Sequence, residues 1–164
     1  MTEIDLGQVV VALTPVPSGP STNAGAVRME TLSDATSPML GDLKRPKNLP
    51  DGFSFLDANV VSEPVRMIVA TYNDPESSRS VTLAQTPVAD LKAGATGRTT
   101  IYAVGEDLDE VAVAGSKAAR VTISADPAWR GARASIVWLS GEAVCQLSGR
   151  GTSVEELVKI ASSV

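Results

Sequence analysis

The chain has 164 residues, 43% of them hydrophobic and 20% charged, with a formal net charge of −5. That length supports one core of ordinary globular composition, and the negative balance disfavours nucleic acid, where Lys and Arg must displace counterions. There is no histidine and a single cysteine, Cys145, which removes the commonest general base and metal ligand and any disulfide within the chain.

The opening residues lack the layout of a secretory leader, and no apolar run approaches the roughly 20 residues of a membrane-spanning helix. Residues 5–13, "DLGQVVVAL", predict a strand, because Val9, Val10 and Val11 are β-branched and suit a pleated surface. "TPVPSGPSTNAG" follows, a Pro-, Ser- and Gly-rich tether. Residues 1–26 are therefore read as an arm and 27–164 as a single α+β domain. The strand over 6–13 is expected to pair with a sheet edge, in this chain or in a second copy as a homodimer through the N-terminal strand.

Residues 31–37 are a candidate short helix capped by Thr31 or Ser33. In "KRPKNLPDGF", Pro46 and Pro50 forbid helix, "PDG" is turn chemistry, and Leu49 and Phe53 are apolar anchors. The period then becomes two. "FSFLDANVV", "VRMIVATY" and "VTLAQT" predict an antiparallel meander, with Arg66, Ile68, Ala70 and Tyr72 on one side of the second strand and Val65, Met67, Val69 and Thr71 on the other. "VADLKAGATG" reads equally as a helical turn or a loop. "TTIYAV" is a strand and "EDLDE" an exposed turn; "VAVAGSKAARVTIS" gives two strands around Gly115, and "SIVWLS" with "EAVCQLS" a hairpin around Gly141. Ser153 and Glu156 form a capping box. Val154, Leu157, Ile160 and Ala161 then draw one apolar stripe. The fold class is α+β: an antiparallel, curved meander sheet with short helices on one face, closed by the C-terminal helix.

Chemistry-bearing groups are few. Cys145, between Val144 and Gln146 on a strand, reads as a packed core thiol, since free cysteine is among the most buried residue types. Glu106, Asp107, Asp109 and Glu110 lack the spacing of a calcium loop. "LSGRGTS" lacks the lysine of a phosphate loop, and neither S-x-x-K nor G-x-S-x-G occurs. Lys44, Arg45 and Lys47 form a basic cluster. Trp129 and Arg130 lie in the loop "DPAWRGAR", whereas Trp138 sits mid-strand and reads as core. Trp129, Arg130, Lys44, Arg45 and Lys47 make up the candidate interaction surface. No catalytic residue, metal or cofactor is expected.

Three stretches together, "TLSDATSPMLGDLKRPKNLPDGF", "VRMIVATYNDPESSRSVTLAQTPV" and "IVWLSGEAVCQLSGRGTSVEELVKIASSV", carry a resemblance. In this order they are similar to the uncharacterised extracytoplasmic domain of membrane-bound anti-sigma factors, sporulation-associated proteins and bacterial lipoproteins, over about residues 30–164. The matched positions are Leu49, Pro50, Gly52, Phe53, Tyr72, Gln85, Trp138, Gly141, Gly149, Ser153, Glu155, Glu156 and Leu157, all of them structural. The resemblance implies a non-enzymatic sensing or protein-interaction domain outside the cytoplasmic membrane, anchored through a segment outside this chain and binding a protein partner. A hydrophobic-ligand carrier, holding lipid or an acyl chain against the sheet, is the alternative.

Overall fold

The computed structural model describes residues 2–14, 26–29, 44–61, 66–91, 98–126 and 131–164. The helix expected over 31–37 and the loop residues Trp129 and Arg130 lie outside them. The strands are β1 (Glu3–Asp5), β2 (Val9–Thr14), β3 (Ala26–Met29), β4 (Ser54–Val61), β5 (Met67–Asp74), β6 (Arg79–Pro87), β7 (Thr99–Val104), β8 (Asp107–Val113), β9 (Ser116–Asp126), β10 (Gly131–Ser140) and β11 (Ala143–Arg150). A single 3-10 turn spans Val88–Asp90, and helix α1 spans Val154–Ser162.

Eight strands form one antiparallel sheet in the order β3-β4-β5-β6-β11-β10-β9-β8. The expected meander is present twice, as β3 to β6 and as β8 to β11, and the second run docks its last strand against β6. β7 leaves this sheet. It pairs in parallel with β2, Val9 opposite Thr99 through Thr14 opposite Val104, and β1 completes a three-stranded layer. The N-terminal strand therefore lies between two partners within the chain.

Alternation along each strand divides the core in two. Ile68, Ala70 and Tyr72 on β5, Val81 and Leu83 on β6, Ile136 and Trp138 on β10, and Cys145 and Leu147 on β11 face α1. Ala119, Val121, Val137 and Val144 face the opposite way, onto Ile4, Val9, Val11 and Ala103 of the small sheet. On β5 the division follows the period-two pattern of the sequence, and Arg66 is exposed at the strand's start. On β4 a register shift between Phe55 and Asp57 leaves Leu56 at 47% exposure and keeps Phe55, Ala58 and Val60 on one face.

Three expectations are corrected. Residues 5–13 are not one strand: β1 ends at Asp5, the chain turns through Gly7 at φ +104°, and β2 starts at Val9 and runs back antiparallel. Of the expected loop "DPAWRGAR", Asp126 belongs to β9 and Gly131 to Arg133 belong to β10. "EDLDE" is not a turn: Asp107, Asp109 and Glu110 belong to strand β8. Leu108 turns inward to the second core, and the acids stay outside, Asp109 paired with Arg120 and Glu110 with Lys117 on β9, the latter at 3.5 Å. An edge strand needs only one face buried, so an acidic string with a lone leucine suffices.

Helix α1 begins at the expected N-cap, Ser153, with half of the capping box made, because the Glu156 carboxylate accepts from Arg79 and the Ser153 hydroxyl instead of the Ser153 amide. The Ser153 hydroxyl oxygen accepts from the Glu156 amide at 3.2 Å, and Leu157, Ile160 and Ala161 are buried against β8, β10 and β11. The helix sits close to the sheet because position 149 is glycine: a Cβ there would lie 2.8 Å from Leu157 Cδ2. Among the described residues no helix is long and apolar enough to cross a membrane.

Candidate functional site

The residues with the most specific geometry gather where segment 44–53 meets α1. Pro46 and Pro50 hold this segment out of helix, and side chains fasten it at two places. The first is Gln85, in phase with Val81 and Leu83 on β6 and wholly buried. Its Nε2 donates to the Lys44 carbonyl and its Oε1 accepts from the Lys44 amide, both at 2.8 Å. The side-chain amide thus does what a neighbouring strand would do for the Lys44 peptide groups. The second is Ser163, whose Oγ accepts from the Lys47 and Asn48 amides at 3.0 Å and donates to the Ile160 carbonyl at 2.7 Å. That one hydroxyl ties the segment to a carbonyl of the last helical turn. The segment ends in the Pro50–Phe53 turn, closed by Phe53 N–H donating to Pro50 O at 3.2 Å. Gly52 takes φ +90° there, and a Cβ on it would meet the Asp74 carboxylate at 3.0 Å.

Leu49 and Phe53 pack onto the α1-facing core. The Arg79 guanidinium lies 5.3 Å from the centre of the Phe53 ring and is ion-paired to Glu156. Glu156 thus links the helix cap to β6 and to segment 44–53, the strap. Between strap and helix runs an open groove of about 420 Å³. Leu49, Pro50, Val158 and Ile160 give its apolar part, and Lys159 and Asn48 are among its polar lining. Because Glu156 is engaged by Arg79, the charge offered at the rim is that of Lys159.

The predicted interaction residues are brought together only in part. Lys44 is half-buried at the Gln85 clasp, Arg45 and Lys47 are exposed on the strap, and Trp129 and Arg130 are not among the described residues. Arg45 reaches Tyr72 electrostatically. Burial pushes the Tyr72 hydroxyl up from its ordinary pKa, and the Arg45 charge opposes that rise. The hydroxyl is buried without a hydrogen-bond partner, and the ring meets Phe55 edge-on at 5.8 Å. Trp138 lies in the α1-facing core. Gly141 occupies the β10–β11 turn at φ +60°, and Glu155 is exposed in the first helical turn.

Cys145 is fully buried, and burial pushes its thiol up to about 12, so it stays protonated near neutrality and is a poor nucleophile. Among the described residues no group of three His, Cys, Asp or Glu side chains gathers to hold a metal ion. A second hollow, about 350 Å³, lies at the start of α1. It mixes Glu106, Asp107 and Arg133 with Thr152 and Ser153, so its opposing charges favour no one ligand class.

Sequence reasoning did not single out Ser163 or Arg79. For Ser163 a signal was present, a hydroxyl placed directly after an amphipathic helix. Arg79 acts across 77 residues on Glu156, and no local pattern announces that.

No curated protein and no solved structure matches the chain. Residues 43–164 match the family described as Domain of unknown function (DUF4367), a span that begins at the strap and ends with α1. The chain belongs to that family.

Proposed function

We propose that this chain is a non-enzymatic, extracytoplasmic sensing or protein-interaction domain of a bacterial membrane-associated regulator or lipoprotein, and that it binds its partner in the groove between the strap and α1. The observation that carries the reading is the groove itself. It is an open apolar trough with Lys159 on its rim, walled by a segment that side chains rather than a strand ladder hold in place. Such a trough suits an apolar side chain from a partner, flanked by a carboxylate that meets Lys159. The extracytoplasmic setting rests on the resemblance over residues 30–164.

A second reading uses the same groove. Its volume lies within the roughly 300–1,000 Å³ range of small-molecule sites, and its apolar part with one cation fits an acyl chain ending in a carboxylate. Photo-crosslinking separates the two. A photoreactive residue at position 158, in the full-length protein in its own host, is expected to give one protein-sized adduct that Lys159→Glu weakens several-fold. A lipid-sized adduct would replace the first reading by the second. Absence of either adduct, in a membrane fraction that contains the protein, would overturn both.

A further inference from the structure

The two sheets end in four edges among the described residues: β1 and β7 on the three-stranded sheet, β3 and β8 on the eight-stranded one. Exposed edges invite another strand, and proteins blunt them with shortness, charge or proline. Three of the four follow that rule. β1 is three residues long and carries Glu3 and Asp5. β3 is four residues long. β8 carries Asp107, Asp109 and Glu110. β7 does not follow it. "TTIYAV" is six residues of mostly β-branched and aromatic side chains, with no charge and no proline.

The hydrogen-bond phase shows which groups this edge offers. Gly105 N–H donates to the Thr14 carbonyl of β2 at 3.1 Å. Peptide groups of a strand alternate in direction, so Ile101 and Ala103 also aim theirs at β2, and Thr100, Tyr102 and Val104 aim theirs at the open edge. The side chains divide in the same way. Ala103 and Ile101 pack into the second core, whereas Thr100 is exposed and Tyr102 is 70% exposed. Among the described residues Tyr102 is the most exposed large hydrophobic side chain.

We propose that the open edge of β7 is a self-association surface, at which a second copy of this chain adds its own β7 antiparallel across a two-fold axis. The edge is self-complementary: across an antiparallel two-fold the outward peptide groups of β7 meet those of its own copy. Each copy carries a net charge of −5, which opposes association, so the edge that admits a second copy is the one that adds no carboxylates of its own. Pairing β1 with β1 or β8 with β8 would set carboxylates against carboxylates, whereas β7 against β7 brings no charges together. A register with Ile101 on the axis keeps outward-pointing groups opposite one another and pairs residues 99–103 of one copy with 103–99 of the other. Thr100 of one copy then faces Tyr102 of the other, exchanging both backbone hydrogen bonds, and a β-branched residue opposite an aromatic one is a favourable cross-strand pair. Two paired strands bury less than the roughly 1,200–2,000 Å² of a standard interface, so the dimer is weak and depends on concentration. This surface is separate from the strap groove, and the two stand or fall independently.

Sedimentation velocity over a dilution series tests it. The average mass is expected to rise from 17.0 kDa per chain toward twice that value as concentration increases. Tyr102→Lys and, separately, Thr100→Lys place like charges beside the two-fold axis and should hold the mass at the monomer value. Both positions are exposed, so far-ultraviolet circular dichroism and the melting midpoint should stay unchanged. An equimolar mixture of Thr100→Cys and Tyr102→Cys chains should oxidise to a disulfide-linked heterodimer, with buried Cys145 taking no part. A chain that stays monomeric at every concentration overturns the proposal. So does a dimer that survives either lysine, or a monomer that instead takes up an unrelated extended peptide at this edge.

Discussion

On one face of the eight-stranded sheet, α1 is seated by buried Leu157, Ile160 and Ala161, and the strap is fastened by single side chains, Gln85 at Lys44 and Ser163 at Lys47 and Asn48. On the other face, β1, β2 and β7 bring their own backbone ladder, and apolar contacts of Val9, Val11 and Ala103 seat them. The difference sets what each face can do. A ladder spreads its hydrogen bonds over consecutive residues, so no one substitution opens it. A strap fastened at a few points can be loosened by one change, and segments of that kind belong to the low-stability end of a structure, from which binding elements are drawn. The groove lies on the strap's face, and the unguarded edge lies on the ladder's.

The largest effect is expected at Leu157. It is fully buried between α1 and the sheet, and Leu157→Ala should cost about 2–5 kcal/mol, the usual range for truncating a core leucine. Denaturant unfolding measures the loss. Hydrogen exchange then sharpens the comparison: the Lys47 and Asn48 amides, which depend on the end of α1, should lose protection, while amides of β2 should keep theirs relative to global unfolding. Equal loss in both places would mean that the two faces open together.

Gln85→Leu comes next. The shape is nearly kept, but the Lys44 amide and carbonyl lose their partner in a part-buried site. Leaving such groups unsatisfied costs about 1–3 kcal/mol. The distinctive readout is local. The Lys44 amide should exchange far faster in the variant, with β2 and β7 unaffected. Unchanged exchange at Lys44 would show that the clasp does not hold the strap.

How much of this was legible follows from the range of each interaction. Helix α1 could be read because Ser153, Glu156 and Leu157 act on one another within a turn, and the two hairpin runs could be read because side chains alternate along each strand. Gln85 was half legible: it stands in phase with Val81 and Leu83, and a polar residue in an apolar phase signals a buried partner, but its being Lys44 is a contact across 41 residues. The pairing of β2 with β7 joins Val9 to Thr99, and nothing local specifies a parallel neighbour so far along the chain. β8 was misread because acids at Asp107, Asp109 and Glu110 outweigh Leu108 in composition, although one inward leucine is enough to seat an edge strand. The strap groove was not legible: Leu49 read as an apolar anchor, Pro50 as a helix breaker and the helical stripe as one apolar face, of which only Ile160 lines the groove.

The smallest effect compares the two faces through acid. Asp74, beside the Gly52 turn, is held below the ordinary aspartate pKa of 3.8, chiefly by the Ser77 hydroxyl, which donates at 2.7 Å, and also by the Glu76 amide at 3.1 Å. Asp5, on β1, is held below the same value chiefly by the Gly7 amide at 2.8 Å, with Arg98 adding a hydrogen bond and its charge. A carboxyl whose folded pKa is depressed contributes stability that is present above 3.8 and is lost as pH falls through the folded value. Both groups therefore steepen the acid limb below about pH 4, and Asp5→Asn or Asp74→Asn should each flatten it slightly, since Asp5 is exposed, Asp74 is half-buried at the surface, and solvent screens both. Salt separates them. The named supports of Asp74 are dominated by neutral donors, whereas part of Asp5's support is an ion pair with Arg98, which salt screens. In molar salt the flattening caused by Asp5→Asn should shrink, while that caused by Asp74→Asn should persist. Equal shrinkage of both would mean that charge, rather than the Ser77 hydroxyl, stabilises the turn beneath the strap.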